Sequence, residues 1–135
     1  MLNQQLLADV MSRLDEDDIR PFNNYILDLA EAKDEDIYEV LLYLLEQPLF
    51  QDRKATLIYA LQNYPSAPLF EKAVGWVLLG GFEVANEAFT IVENTEEIDS
   101  VISRRVKRKI ALTLKTEMVE DWKIELLEWI LDSYR

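Results

Sequence analysis

The amino-acid sequence predicts an all-α fold, and three observations lead to that prediction. Only 3 glycines and 4 prolines occur among 135 residues, half of which are hydrophobic. No segment alternates apolar and polar side chains over the length of a strand. Apolar side chains instead recur every three or four residues, in segments of about 10 to 18 residues joined by short links. We therefore expect about eight antiparallel helices in a single domain over residues 1–135.

Three helices are predicted in the first 50 residues. The first has an apolar stripe and ends before the acidic run at residues 15–18. Pro21 suits the first turn of the second helix, because that position needs no backbone N–H group. The acidic residues 34–36 begin the third helix, and Pro48 ends it. The third helix is apolar on nearly all sides, so we expect it to be central.

The middle of the chain contains the next three helices. The fourth covers about residues 52–63, and the fifth follows Pro65. Gly80 and Gly81 end the fifth helix, as a cap in the left-handed conformation would. The sixth helix covers residues 82–93.

Two longer helices complete the prediction. Thr95 is suited to cap the seventh, which runs to about Lys115. The eighth covers about residues 119–134. Three tryptophans lie at helical spacing from other apolar residues, as core residues do. They are Trp76, Trp122 and Trp129.

Two of the predicted helices are related in sequence, about 30 residues apart. The segment KATLIYALQNY at residues 54–64 occurs again in altered form as VANEAFTIVEN at residues 84–94. The matched pairs are Ala55 with Ala85, Tyr59 with Phe89, and Leu61 with Ile91. Helical hairpins repeated at this period predict an α-solenoid of HEAT or armadillo type. The alternative is an irregular helical bundle.

The same region resembles a known protein family. The segments ATLIYALQNY, residues 55–64, and GGFEVANEAFTIVE, residues 80–93, are similar to the core of small HEAT-repeat immunity proteins. That family belongs to bacterial polymorphic toxin and contact-dependent growth inhibition systems. Its helix reading TLIYAL precedes a helix that opens on a glycine and reads FEV, a small residue, then EA. The resemblance covers about a third of the chain. It implies a cytoplasmic antidote that binds and blocks a cognate toxin, commonly a nuclease.

Charge points toward a basic partner. The formal net charge is −12, and residues 1–50 hold 12 acidic and 3 basic side chains. Such a surface repels nucleic-acid phosphates and anionic lipids and attracts cationic proteins. We therefore expect a basic protein partner and neither nucleic acid nor membrane. The bases at residues 104–109 belong to one amphipathic helix, and we expect them to pair with the chain's own acids.

Composition argues against an enzyme. The chain has no cysteine and no histidine, which excludes disulfides, thiol nucleophiles and the usual proton shuttle at neutral pH. The acidic runs lack the glycine that a calcium loop needs. We expect no catalytic residue, cofactor or metal. The N-terminus lacks the basic start of a secretion signal, and the apolar stretches are too short to cross a bilayer, so we expect a cytoplasmic protein.

Ten polar residues are candidates for binding the partner. The two acidic runs could imitate phosphates in a nuclease cleft, and three positions on the sixth helix lie on one face. The candidates are Asp15, Glu16, Asp17, Asp18, Asp34, Glu35, Asp36, Glu83, Asn86 and Glu87. The acids of either run could instead serve local structure, because helix N-termini favour acidic side chains. The alternative function is an interaction scaffold or adaptor without a toxin partner.

Overall fold

The computed structural model describes residues 1–134 and confirms the all-α prediction, since these residues form helices and no strand. The α-helices are α1 (Gln4–Met11), α2 (Arg20–Glu31), α3 (Glu35–Leu45), α4 (Lys54–Leu61), α5 (Phe70–Leu79), α6 (Phe82–Glu93), α7 (Ser100–Thr116) and α8 (Asp121–Ser133). Single-turn 3-10 helices cover Pro48–Phe50 and Ala67–Leu69. None of the described helices is long and apolar enough to cross a bilayer.

The chain divides into two compact units, with the boundary after Tyr64. The N-terminal unit contains α1 to α4, and α3 contacts the other three helices of that unit. Helix α3 buries Ile37, Val40, Leu41, Leu44 and Leu45. The predicted central position of the third helix is therefore confirmed within its unit.

Side-chain caps and one tyrosine fix the turns of the N-terminal unit. The Asp34 carboxylate accepts a hydrogen bond from the Ile37 amide at 2.9 Å, which caps α3. Lys33, just before this cap, has a positive φ of 59°. The Tyr64 hydroxyl donates to the Asp34 carbonyl at 2.6 Å, and its ring packs on Tyr38 with centroids 4.9 Å apart. Tyr64 thus ties the end of α4 to the turn between α2 and α3.

The environment of Tyr64 predicts a loss of stability in alkali. Burial, and secondarily the nearby Asp34 charge, raises the pKa of Tyr64 to about 12, against about 10 in an unfolded chain. A raised pKa in the folded state means that the contribution to stability is complete below about pH 10 and is lost between about pH 10 and pH 12. We expect Tyr64→Phe to show a shallower fall of stability across that window. Tyrosinate absorbance measures the pKa of Tyr64, and chemical denaturation at each pH measures the free energy of unfolding. If Tyr64→Phe leaves the pH dependence of stability unchanged, Tyr64 is not the group responsible for it.

The C-terminal unit begins at Pro65 and is organised around α5, which contacts α6, α7 and α8. Its core includes fully buried side chains of Phe70, Val77, Ile91, Ile110 and Ile130. Three long-range polar contacts hold the helices together. Arg105 pairs with Glu71. The Lys123 ammonium donates to the carbonyls of Leu78 and Gly80. The Tyr134 hydroxyl contacts the carbonyls of Val92 and Thr95.

Gly80 ends α5 as expected, but the conformation predicted for the Gly80–Gly81 cap is wrong, and so is the predicted cap of α7. Gly80 and Gly81 have φ of −82° and −74°, so neither is left-handed. Gly80 is required for another reason, because a Cβ there would lie 2.6 Å from the Trp76 carbonyl oxygen. Thr95 does not cap α7; it is buried, and its hydroxyl donates to the Ile91 carbonyl at 2.9 Å. The cap of α7 is Asp99, which accepts from the Val101 amide at 2.7 Å.

The prediction that all three tryptophans are core residues is also wrong. Trp76 and Trp122 are only half-buried, and Trp129 is 40% exposed. Helix α8 instead buries Leu127 and Ile130. Its tryptophans flank that stripe, where Trp122 packs edge-on against Phe82 and Trp129 packs against Phe89.

The repeated segments differ in burial at most positions. Leu61 and Ile91 are both buried. Ala85 is buried but Ala55 is half-buried, and Tyr59 is half exposed. The two helices belong to different units, so each segment contributes to the core of its own unit.

Candidate partner-binding surface

The first acidic run forms the loop between α1 and α2. Within this loop the Asp15 carboxylate accepts from the Asp17 amide at 2.9 Å, and Asp18 accepts from the Arg20 guanidinium at 2.8 and 3.0 Å. These hydrogen bonds lower the pKa of Asp18 and raise that of Arg20. Asp15, Glu16 and Asp17 are exposed, and no basic side chain of residues 1–134 pairs with them. The loop therefore presents three unneutralised carboxylates to solvent.

The second acidic run begins α3 and has a divided role. Asp34 is the cap of that helix, so the local structural interpretation applies to it. Glu35 is exposed in the first turn, where the helix dipole favours an acid. Asp36 is also exposed, and its carboxylate accepts from the Asn3 side-chain amide at 3.0 Å. Glu35 and Asp36 remain candidates for binding.

The two acidic runs do not form one patch. They flank α2, whose 12 residues separate them. At a rise of 1.5 Å per residue, the helix places the runs about 18 Å apart along its axis. A partner that meets both runs must therefore span about this distance.

The three candidates on α6 are not equally available. Glu83 is exposed in the first turn, whereas Asn86 and Glu87 are half-buried. The Asn86 side-chain amide donates to the Phe82 carbonyl at 2.8 Å, within its own helix. Glu83 is the one exposed member of this group.

A cleft between α1 and the end of α3 was not anticipated from the sequence. Its volume is about 240 Å³, and seven of its eight lining residues are apolar or aromatic. The lining residues are Leu7, Met11, Tyr43, Leu44, Gln47, Pro48, Leu49 and Phe50. Tyr43 is 39% exposed and Leu49 is 56% exposed. Tyr43 belongs to the third helix, which the sequence predicts to be central, and Pro48 before Leu49 is the one local sign that the chain leaves the helix there.

Negative charge, partial and formal, lies near this cleft. Asn3 meets Asp36 at one end of the seam, and Met11 and Gln47 line the cleft at the other, so α1 and α3 run in the same direction. Their C-terminal ends, which carry partial negative charge, therefore converge near the cleft. No basic residue lies in the last turn of either helix. The acidic loop begins four residues after Met11.

The nearest basic side chain in sequence is engaged elsewhere. The Arg13 guanidinium lies 3.6 Å from the centre of the Tyr25 ring, and it also donates to the Asp9 carbonyl at 2.6 Å. A cation stacked on an aromatic face is stabilised there. The seam between α1 and α3 thus has acids at both ends, and the cleft has no base in its lining.

Comparison with protein-family models, with curated proteins and with solved structures finds no match. Within residues 1–134, no group of three or more His, Cys, Asp or Glu side chains is arranged to hold a metal ion.

The basic run lies on α7 in the C-terminal unit. Arg105 forms a bidentate ion pair with Glu71, with its shorter hydrogen bond at 2.5 Å, which lowers the pKa of Glu71. Arg104 and Arg108 are exposed and pair with no acid among the described residues. The prediction that these bases pair with the chain's own acids therefore holds for Arg105 and is wrong for Arg104 and Arg108.

Proposed function

We propose that this chain is a binding protein that neutralises a basic protein toxin by stoichiometric inhibition, as immunity proteins do. The observation that carries the proposal is the excess of exposed, unneutralised carboxylates on the N-terminal unit. Residues 1–64 hold 13 acidic and 5 basic side chains. Of these bases, Arg20 is paired with Asp18 and Arg13 lies over Tyr25.

Uncompensated charge of one sign has a physical consequence. Like charges repel one another and destabilise the compact state, while they speed the approach of an oppositely charged partner. A cationic surface seated on the N-terminal unit would relieve the repulsion. The repeat at residues 54–64 and 84–94, and the resemblance to HEAT-repeat immunity proteins, support the same function, a solenoid arrangement of the helices and a cytoplasmic location.

The partner can be sought by its gene position. Immunity genes lie immediately downstream of the toxin gene, whereas the gene for a general adaptor need not. We expect the product of the upstream reading frame to copurify with this chain in a one-to-one complex, and its toxicity to disappear on co-expression. A complex without protection would favour the scaffold alternative. No complex would contradict the proposal.

Charge reversal on the acidic loop tests the electrostatic part of the proposal. We expect Glu16→Lys with Asp17→Lys to slow association with the copurified partner about tenfold or more at low salt. Neither side chain makes a hydrogen bond within residues 1–134, so the melting temperature should not fall. Stopped-flow association rates over a range of salt concentrations provide the measurement.

The matched control is Glu96→Lys with Glu97→Lys. These two acids are also adjacent and exposed in a loop, and the change in net charge is identical. A smaller effect of the control pair would locate the partner on the N-terminal unit. Equal slowing by both pairs would mean that only net charge matters, and a rate independent of salt would indicate an apolar interface.

A further inference from the structure

We propose that the cleft between α1 and α3 accepts one bulky apolar side chain from a segment of the partner that is rich in lysine or arginine. This inference rests on the proposed function and specifies which feature of a basic partner the chain recognises. It joins two observations on the N-terminal unit, an apolar cleft with an exposed rim and an acidic environment around it.

The cleft has the size of an anchor pocket. An apolar cavity of about 150 Å³ accepts a benzene molecule, so a cleft of about 240 Å³ has space for a phenylalanine ring. The single amide in the lining is that of Gln47, whose nitrogen already donates to the Tyr43 carbonyl at 3.2 Å. An apolar side chain can therefore enter without displacing a hydrogen bond of the lining.

Apolar side chains at the rim of the cleft favour contact with a partner. Leu49 and Tyr43 expose large apolar surfaces beside the cleft. Most of the energy of protein interfaces comes from a few large side chains in well-packed pockets, surrounded by contacts that exclude water. A side chain inserted between Leu7, Met11 and Leu49 would be surrounded in this way.

Charge complementarity identifies the residues that flank the anchor. Two helix C-terminal ends meet at the cleft, and Asp36 lies seven residues before Tyr43 on the same face of α3. Seven residues of helix span about 10 Å. The acidic loop lies beyond Met11 at the other end. A helical segment with a central apolar residue in the cleft, and bases one to two turns to either side, would place those bases near Asp36 and near the acidic loop.

Designed peptides test this directly. The first is a helical peptide of about 19 residues, based on alanine and glutamine, with a central phenylalanine and lysines about four and seven residues to either side. The second replaces phenylalanine by alanine, and the third replaces the lysines by glutamates. We expect the first peptide to bind at least tenfold more tightly than the second, and the third not to bind. Peptide-induced shifts of the methyl resonances of Leu7, Met11 and Leu49 locate the site.

A matched pair of variants separates the cleft from general attraction. Leu49→Lys places a cation at the rim, and Leu112→Lys makes the same change on α7, where Leu112 is 60% exposed. We expect Leu49→Lys to weaken binding of the phenylalanine peptide at least tenfold, and Leu112→Lys to change it less than twofold. Both side chains are exposed, so melting temperatures should match the parent.

The outcomes separate the inference from the proposed function. Equal binding of the phenylalanine and alanine peptides, or equal effects of the two variants, would overturn the cleft as an anchor pocket and leave electrostatic capture of the toxin standing. No binding by any peptide would also overturn the inference. The proposed function is instead overturned when the upstream gene product forms no complex, whatever the peptides do.

Discussion

Replacing Leu61 with alanine should lower the free energy of unfolding by about 2–5 kcal/mol, which is the usual result of removing a fully buried leucine side chain. Leu61 is completely buried at the end of α4, a helix that contacts α2 and α3. The cost has two parts, because the removed methyl groups lose their transfer energy and the surrounding side chains cannot close the space. Chemical denaturation monitored by circular dichroism measures the change.

Tyr59→Ala is the control for this prediction. Tyr59 lies on the same helix, two residues earlier, but half of its surface is exposed. Both substitutions introduce alanine, so helix propensity changes little and in the same direction. We expect Tyr59→Ala to be much less destabilising. A loss below about half a kcal/mol for Leu61→Ala would show that this residue does not belong to the core.

Tyr134→Phe should have the next largest effect on stability, about 1–3 kcal/mol. The Tyr134 hydroxyl lies 2.5 Å from the Val92 carbonyl oxygen and 2.6 Å from that of Thr95. It can donate only one proton, which the two acceptors share. The substitution keeps the ring, which packs edge-on against Phe70, but leaves buried carbonyl oxygens without this donor.

The comparison for Tyr134→Phe is Tyr59→Phe. It removes the same atom from a half-exposed ring, whose hydroxyl makes no hydrogen bond with the described part of the chain. We expect no measurable change there. If the two variants unfold at the same denaturant concentration, the hydroxyl of Tyr134 does not contribute to the stability of the C-terminal unit.

The helices could be predicted from sequence because the segments with helical apolar periodicity end where residues that interrupt helices occur. Pro48 ends one helix, and Pro65 separates α4 from α5. The cap of α7 was misassigned because a threonine before two acids satisfies the local pattern. Thr95 instead bonds to its own preceding helix, and the buried hydroxyl of Tyr134, which comes 39 residues later, meets its carbonyl. Such a contact is outside the reach of local rules.

The exposure of the candidate binding residues could be predicted only in part. Asp15, Glu16 and Asp17 are exposed, as a run of acids predicts. Only a structure shows that Asp34 is a cap and that Asn86 bonds within α6. The cleft between α1 and α3 could not be predicted from the sequence, because a solvent-facing leucine and a core leucine have the same hydropathy. Leu49 is distinguished from Leu45 only by the direction in which the chain turns after Pro48.

The turn between α5 and α6 gives two neighbouring glycines unequal freedom to change. At Gly80 an added methyl group would collide with the Trp76 carbonyl and with Val84, whereas at Gly81 it would meet nothing within 4 Å. We therefore expect homologous sequences with this fold to keep glycine at position 80 and to vary at position 81. A saturation library at the two positions would show the same asymmetry, with a single tolerated residue at the first and many at the second.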